Sequence, residues 1–344
     1  MRAAEPADEL RHAAGDRRLW NESYYFHFTG EDLVGYTRLG FQPYERRANL
    51  WVYLTRSEDG ETVWYRNEDI PLEDCDGLHA DAGGFELSHR VLEPNEQWAL
   101  DGKGECGAAG DVASVFADDP DRSVPVEFAL RFHAPDHVAY QEDRGYDAHS
   151  HDKEHYSQPG RMTGSVSIGD RSHDVDAHGF RDHSWGGLRN WTPVAGGYYW
   201  FGLGFETGDS FKIAAGVRPD GTITDSFHGY HADGEQVRLP EDITVEYSDD
   251  HDPDGRLHAW LDGDVAEEIA VEFALEDGTE RFTLHPTGYM PMGYEDRNWQ
   301  ATDLDSPWLT AVINRLPVTC RWEGHEGAGW YETMHPRVRV DLGD

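Results

Sequence analysis

Apolar and polar side chains alternate at a spacing of two residues along most of this chain, which commits it to β-structure. The runs Asn49-Leu-Trp-Val-Tyr-Leu-Thr55, Val126-Glu-Phe-Ala-Leu-Arg-Phe132 and Ile269-Ala-Val-Glu-Phe-Ala-Leu275 each gather apolar groups on one face, because successive strand side chains point to opposite sides. Further strands are expected at 61–66, 161–168, 198–206, 210–218, 222–230, 279–284 and 318–323. Between them stand Glu58-Asp-Gly60, Pro219-Asp-Gly221, Asp252-Pro-Asp-Gly255 and Glu276-Asp-Gly278. Their Asp-Gly pairs suit the positive φ of tight turns. Many short strands with regular punctuation predict an all-β, antiparallel fold of barrels or sandwiches. One short helix is expected at 308–316.

A chain of 344 residues is long enough for two such domains. The segment 141–160 is crowded with Asp, Glu and His, carries Pro159-Gly160 and shows no alternation. It reads as a solvated connection. The expected division is a flexible tail at 1–15, a first β-domain at 16–160 and a second at 161–344.

Charge narrows the partners. The chain holds 67 acidic residues against 29 basic ones, a formal net charge of −38, and its only lysines are Lys103, Lys153 and Lys212. Acid excess with so little lysine predicts a high-salt cytosol, where a Debye length of roughly 3 Å at 1 M screens self-repulsion. No basic stripe is present to neutralise phosphates, so nucleic acid is not an expected partner. Cys75, Cys106 and Cys320 are too few and scattered for a disulfide framework or a zinc cluster, and fit a reducing cytoplasm. The first residues lack the apolar stretch of a signal peptide. No run approaches the roughly 18 apolar residues that span a membrane.

The densest chemistry lies in Gly179-Phe-Arg-Asp-His-Ser-Trp-Gly-Gly-Leu-Arg-Asn-Trp191. On a strand, Asp182 and Ser184 face one way while Arg181, His183 and Trp185 face the other. Consecutive Asp-His-Ser therefore cannot be a hydrolytic triad, whose imidazole lies between its partners. No Gly-x-Ser-x-Gly elbow occurs either. Asp182 in an apolar cavity would resist ionisation and deliver a proton, with His183 sharing or orienting that role. Trp185, Trp191 and Trp200 would shelter a developing cation, each worth roughly 0.5–2 kcal/mol. Arg181 and Arg189 are expected to pair with carboxylates. The bland alternative is an ion-pair and tryptophan cluster that locks a barrel corner.

Two other regions carry candidates. In Leu19-Trp-Asn-Glu-Ser-Tyr-Tyr-Phe-His-Phe28, Glu22 stands among Trp20, Tyr24 and Tyr25, so Glu22 and Tyr24 are candidate substrate-binding residues. The tract His149-Ser-His-Asp-Lys-Glu-His155 can bind metal adventitiously, but it reads as loop, and no metal site is expected. Gly202-Leu-Gly204 precedes no helix, so a dinucleotide fingerprint is not supported. No cofactor is expected.

Gly179-Phe-Arg-Asp-His-Ser-Trp-Gly186, the run His155-Tyr-Ser-Gln-Pro-Gly-Arg-Met-Thr-Gly-Ser-Val166 and the early Trp20-Asn-Glu-Ser23 together resemble the AttH-like, carotenoid-hydratase (hydroxyneurosporene synthase) superfamily, and in particular its haloarchaeal and actinobacterial branch. The likeness spans residues 19–335, with its specific part at 181–186. It implies two lipocalin-like β-barrels packed together, with an apolar cavity at or between them. It also implies hydration or cyclisation of hydrophobic, isoprenoid-like substrates, begun by protonating an alkene without metal or nucleotide. Carried onto this chain, Asp182 is the acid, His183 its partner, and Trp185 and Trp191 the cavity wall. The competing reading is a non-catalytic carrier of a lipid, carotenoid or quinone.

Overall fold

A computed structural model describes residues 2–14, 20–134, 140–141, 154–186, 197–217, 223–231, 242–275, 278–295, 299–301 and 309–336. Two antiparallel sheets account for nearly all of it, which meets the all-β expectation in its two-domain, lipocalin-like form. The chain divides into two compact units, Met1–Gly110 with Asp119–Arg189, and Asp111–Asp118 with Asn190–Asp344.

The first unit closes on itself. Its ladder runs from Glu154–Ile168 through Arg171–Trp185, Glu22–Thr29, Leu33–Gln42, Arg47–Arg56 and Thr62–Pro71 to Gln97–Ala109. Arg122–His133 then pairs with Gln97–Ala109 on one side and Glu154–Ile168 on the other, completing a ring. Closure pairs these eight strands on both sides, while short strands such as Arg2–Ala3 and Cys75–Asp76 extend the sheet beyond the ring. Apolar side chains such as Phe28, Leu39, Leu50, Val52, Leu100 and Phe128 fill it. All ten positions of both Leu33–Gln42 and Arg47–Arg56 are buried, so alternation there separates two buried faces rather than core from solvent. Gly60 turns the chain at φ +72°, as the Asp-Gly signal predicted.

The second unit is a ten-stranded sheet around Phe201, Phe211, Ile269, Phe273, Leu284 and Val318. Its strands at Tyr198–Phe205, Ser210–Val217, Ile223–His231, Ile269–Leu275 and Gly278–Pro286 fall where alternation put them.

Four expectations are corrected. The helix expected at 308–316 is not found at 309–316: Leu309–Trp322 is a strand paired along His325–Pro336. The apolar run is served by a long-range ladder that local pattern does not reveal. Asp252-Pro-Asp-Gly255 is not a hairpin turn but the start of helix Pro253–Leu261, with Pro253 in its first turn and the Asp252 carboxylate accepting from the Gly255 amide at 2.7 Å. The unit boundary falls after Arg189 rather than at 160, because Glu154–Ile168 and Arg171–Trp185 complete the first barrel. Residues 2–14 are not a loose tail. Arg2–Ala3 pairs with Tyr140–Gln141, and Pro6–Glu9 forms a short 3-10 turn whose Glu9 is wholly buried.

Candidate functional site

Arg181, His183 and Trp185 share one face of Arg171–Trp185, as alternation predicts, and all three are buried. Register sets Tyr24 and Tyr156 opposite His183, and Phe26 and Gln158 opposite Arg181. Glu22 arrives on the same face two residues before Tyr24. The N-terminal segment meets these groups with Asp8, Glu9 and His12.

Two linked polar networks result. In one, the Arg181 guanidinium donates to Glu9 Oε1 at 2.7 Å, Gln158 Oε1 at 2.7 Å and the Tyr156 hydroxyl at 3.0 Å, and lies 5.3 Å from the Trp98 ring. Burial works against its charge, but Tyr156 and Glu9 outweigh it and raise its pKa. Tyr156, pushed up by burial, donates in turn to Glu9 at 3.0 Å. In the other, Glu22 Oε1 lies 2.8 Å from His12 Nδ1, 3.1 Å from His183 Nε2 and 3.3 Å from the donating Tyr24 hydroxyl. Burial alone would raise the Glu22 carboxyl, yet the two imidazoles hold it down at about 2. Burial lowers His183, with Glu22 opposing. Trp185 stacks on His12 at 4.0 Å between centroids, and Tyr24 stacks on His183 at the same separation. His12 Nδ1, Glu22 and His183 bring their ligand atoms within 4.8 Å of one another, so these three residues could hold a metal.

Glu22, Tyr24, His183 and Trp185 thus come together. Asp182 does not join them. It faces the other way, with its carboxylate 3.6 Å from His155 Nε2 and its side chain 23% exposed. Ser184, also on that face, meets the Ser23 hydroxyl at 3.1 Å. Trp200 is half-buried on Tyr198–Phe205, in the second unit. Arg189 and Trp191, like His149 and His151, lie outside the described residues. Among the described residues, burial pushes the Glu68 carboxyl upward, and it takes a hydrogen bond from the Trp51 indole at 2.5 Å.

Sequence reasoning missed Glu9 and His12 by treating the first residues as a tail. One signal was present: Glu5-Pro6-Ala7-Asp8 is a capping box with proline in the first turn. Nothing local marks His12.

The second unit holds a cavity of about 190 Å³ whose lining includes Tyr199, Tyr247, Arg256, Trp260, Asn314 and His335. Arg256 lies 3.9 Å from the Tyr247 ring and donates to Asp249 at 2.8 Å. The Tyr289 hydroxyl fixes the Asn314 amide at 2.6 Å. His335 Nε2 stands 3.3 Å from Asp254 Oδ1, a carboxylate placed to orient the imidazole. Burial raises the Tyr199 and Tyr247 phenols, which therefore stay protonated as donors. An apolar cavity with a few convergent polar groups is the usual form of a small-molecule site.

A family described as "Domain of unknown function (DUF7064)" matches residues 5–337. The chain belongs to the DUF7064 family. No curated protein matches it. Among solved structures, this DUF7064 chain is similar to an AttH-designated protein, NE1406 of Nitrosomonas europaea, with a TM-score of 0.63 at 13% identity over 98% of each chain. It is also similar to CghA with Sch210972, at TM-score 0.53 and 12% identity over 92% of this chain and 88% of that one. A third is kievitone hydratase from Nectria haematococca, at TM-score 0.51 and 12% identity over 97% and 93%. At such identities the shared property is the fold, and the expected kinship with AttH-like proteins holds at that level.

Proposed function

We propose that this DUF7064 protein is a hydratase-type enzyme acting on a small hydrophobic molecule held in the second unit's cavity. The observation that carries this reading is the cavity-lining His335 with Asp254 behind it, facing phenols, Arg256 and Asn314. His335 exchanges a proton with the substrate while Asp254 fixes its ring. Tyr199 and Tyr247 donate to an oxygen that gains charge, in the manner of an oxyanion hole. Trp260 and Leu257 supply apolar wall. This chemistry suits water added to, or removed from, an alkene conjugated with a carbonyl. The likeness to kievitone hydratase supports the reaction class.

A second reading keeps alkene protonation to a cation, which needs a neutral carboxyl. Glu68, which burial raises against the opposing pull of Arg38, Arg66, Arg47 and the Trp51 indole, is the candidate for that role in place of Asp182, whose carboxylate faces His155.

Labelled water tests both. Purified protein is incubated in H2 18O with a neutral-lipid extract of the source cells, and products are read by mass spectrometry. Incorporation of 18O that is lost in His335→Asn and kept in Glu68→Gln supports the first reading, and the reverse supports the second. A ligand that elutes unlabelled and unchanged marks a carrier.

A further inference from the structure

Although no metal was expected from the sequence, we propose that His12, Glu22 and His183 form a site for one divalent transition-metal ion of the kind taken by two imidazoles and a carboxylate, Zn²⁺ or Fe²⁺. The site belongs to the first unit and is independent of the reading given to the second unit's cavity.

Hydrogen-bond accounting carries the inference. His183 Nδ1 lies 2.8 Å from the Asp8 carbonyl oxygen, which can only accept, so Nδ1 carries a hydrogen. Nε2 then aims its lone pair at Glu22 Oε1, 3.1 Å away. Two acceptors face each other at a buried position, and a cation between them resolves the conflict. A proton would satisfy that pair alone. A metal ion satisfies it together with His12 Nδ1, which converges on the same oxygen at 2.8 Å.

The surroundings are those of a ligand set. An imidazole whose far nitrogen donates to a backbone carbonyl is the usual outer support of a metal-bound histidine. Glu22 and His183 project from neighbouring, paired strands, so their placement is rigid. The Tyr24 and Trp185 rings fix the planes of His183 and His12, and Glu22 Oε2 is oriented by the His12 amide at 3.0 Å. Metal–ligand bonds of roughly 2.0–2.2 Å in tetrahedral array separate ligand atoms by roughly 3.3–3.6 Å. From Glu22 Oε1, His183 Nε2 at 3.1 Å is short of this by a few tenths and His12 Nδ1 at 2.8 Å by about 0.5–0.8 Å. His12, on the N-terminal segment and 23% exposed, is the ligand free to give by that amount. Three protein ligands leave a position for water or a substrate atom, the pattern of a reactive rather than a structural centre.

The test uses full-length protein stripped with chelator and returned to molar KCl, which suppresses loose binding by surface carboxylates. Zn²⁺ affinity is measured by competition with a chromophoric chelator, and Co²⁺ by its visible spectrum. The expected result is one ion per chain with a four- or five-coordinate Co²⁺ spectrum. His12→Ala should weaken Zn²⁺ binding roughly 100-fold or more, beyond the roughly 10–100-fold that loss of an outer partner costs. His149→Ala with His151→Ala should change nothing. Because His12→Ala also loosens the N-terminal segment, His12→Cys is the companion: it should keep the ion and add a thiolate-to-cobalt band. Absence of uptake by the native chain, equal affinity in His12→Ala, or no thiolate band in His12→Cys would each overturn the site.

Discussion

The interiors of the two units hold polar groups in opposite ways. Inside the first barrel, Arg181, Tyr156, Gln158, His183 and Glu22 are met by Asp8, Glu9 and His12 from the chain's own N-terminal segment. In the second unit, Tyr199, Tyr247, Arg256, Asn314 and His335 surround about 190 Å³ of space. A polar interior must be satisfied by something. In the first barrel these groups close on one another, whereas in the second unit Arg256, Asn314 and His335, though bonded to Asp249, Tyr289 and Asp254, also border open space that a ligand can enter. The motif richest in chemistry therefore sits where the chain closes on its own polar groups, and His335 borders a cavity in the unit whose sequence drew less attention.

The largest effect should come from removing one partner of the buried pair. Glu9→Ala leaves Arg181, 1% exposed, as an uncompensated charge, at a cost of about 3–5 kcal/mol. Glu9→Met combined with Arg181→Met should recover most of that in chemical denaturation at molar KCl. Recovery with Glu9→Ala alone would mean that the N-terminal segment is not part of the first unit's core.

Next in size is the cavity imidazole. His335→Asn should lower turnover by roughly 10²–10⁴-fold with the midpoint of unfolding little changed. A variant that unfolds instead would place His335 with the structural groups and erase the contrast between the units.

A smaller effect probes burial in the first barrel. His89, bonded to the Thr37 hydroxyl at 3.1 Å, is held down at about 3 by burial, against 6.5 for a free imidazole. Its neutral form is favoured only in the fold, so its contribution is complete above pH 6.5 and is lost as pH falls toward 3. Between pH 7 and pH 5 the native chain should lose ~2 kcal/mol relative to His89→Gln. Parallel stability curves would refute a buried neutral imidazole there.

The smallest belongs to Asp182. Its contact with His155 is long and its side chain partly exposed, so Asp182→Asn should cost under ~1 kcal/mol.

What the sequence made legible was whatever depends on neighbours along the chain. Alternation located the strands and turned His183 away from Asp182, which already ruled out the hydrolytic triad. It could not say that Asp252-Pro-Asp-Gly255 opens a helix, since Asp and Gly serve a turn and a helix start alike. Nor could it see that Leu309–Trp322 lies along His325–Pro336, because that ladder is decided by pairing. Long-range partnerships stayed hidden for the same reason: Glu9 with Arg181, His12 with Glu22, and His335 with Asp254 are joined only by the fold. The resemblance implies Asp182 as the acid with His183 its partner, but adjacency on a strand turns two side chains to opposite faces.

Hydration in the second unit's cavity with His335, and without Asp182, is the reading to be broken. It is tested most directly by 18O incorporation from labelled water, measured side by side in native protein, His335→Asn and Asp182→Asn. The account predicts that label is lost with His335→Asn and retained with Asp182→Asn. Label retained in His335→Asn and lost in Asp182→Asn would contradict it.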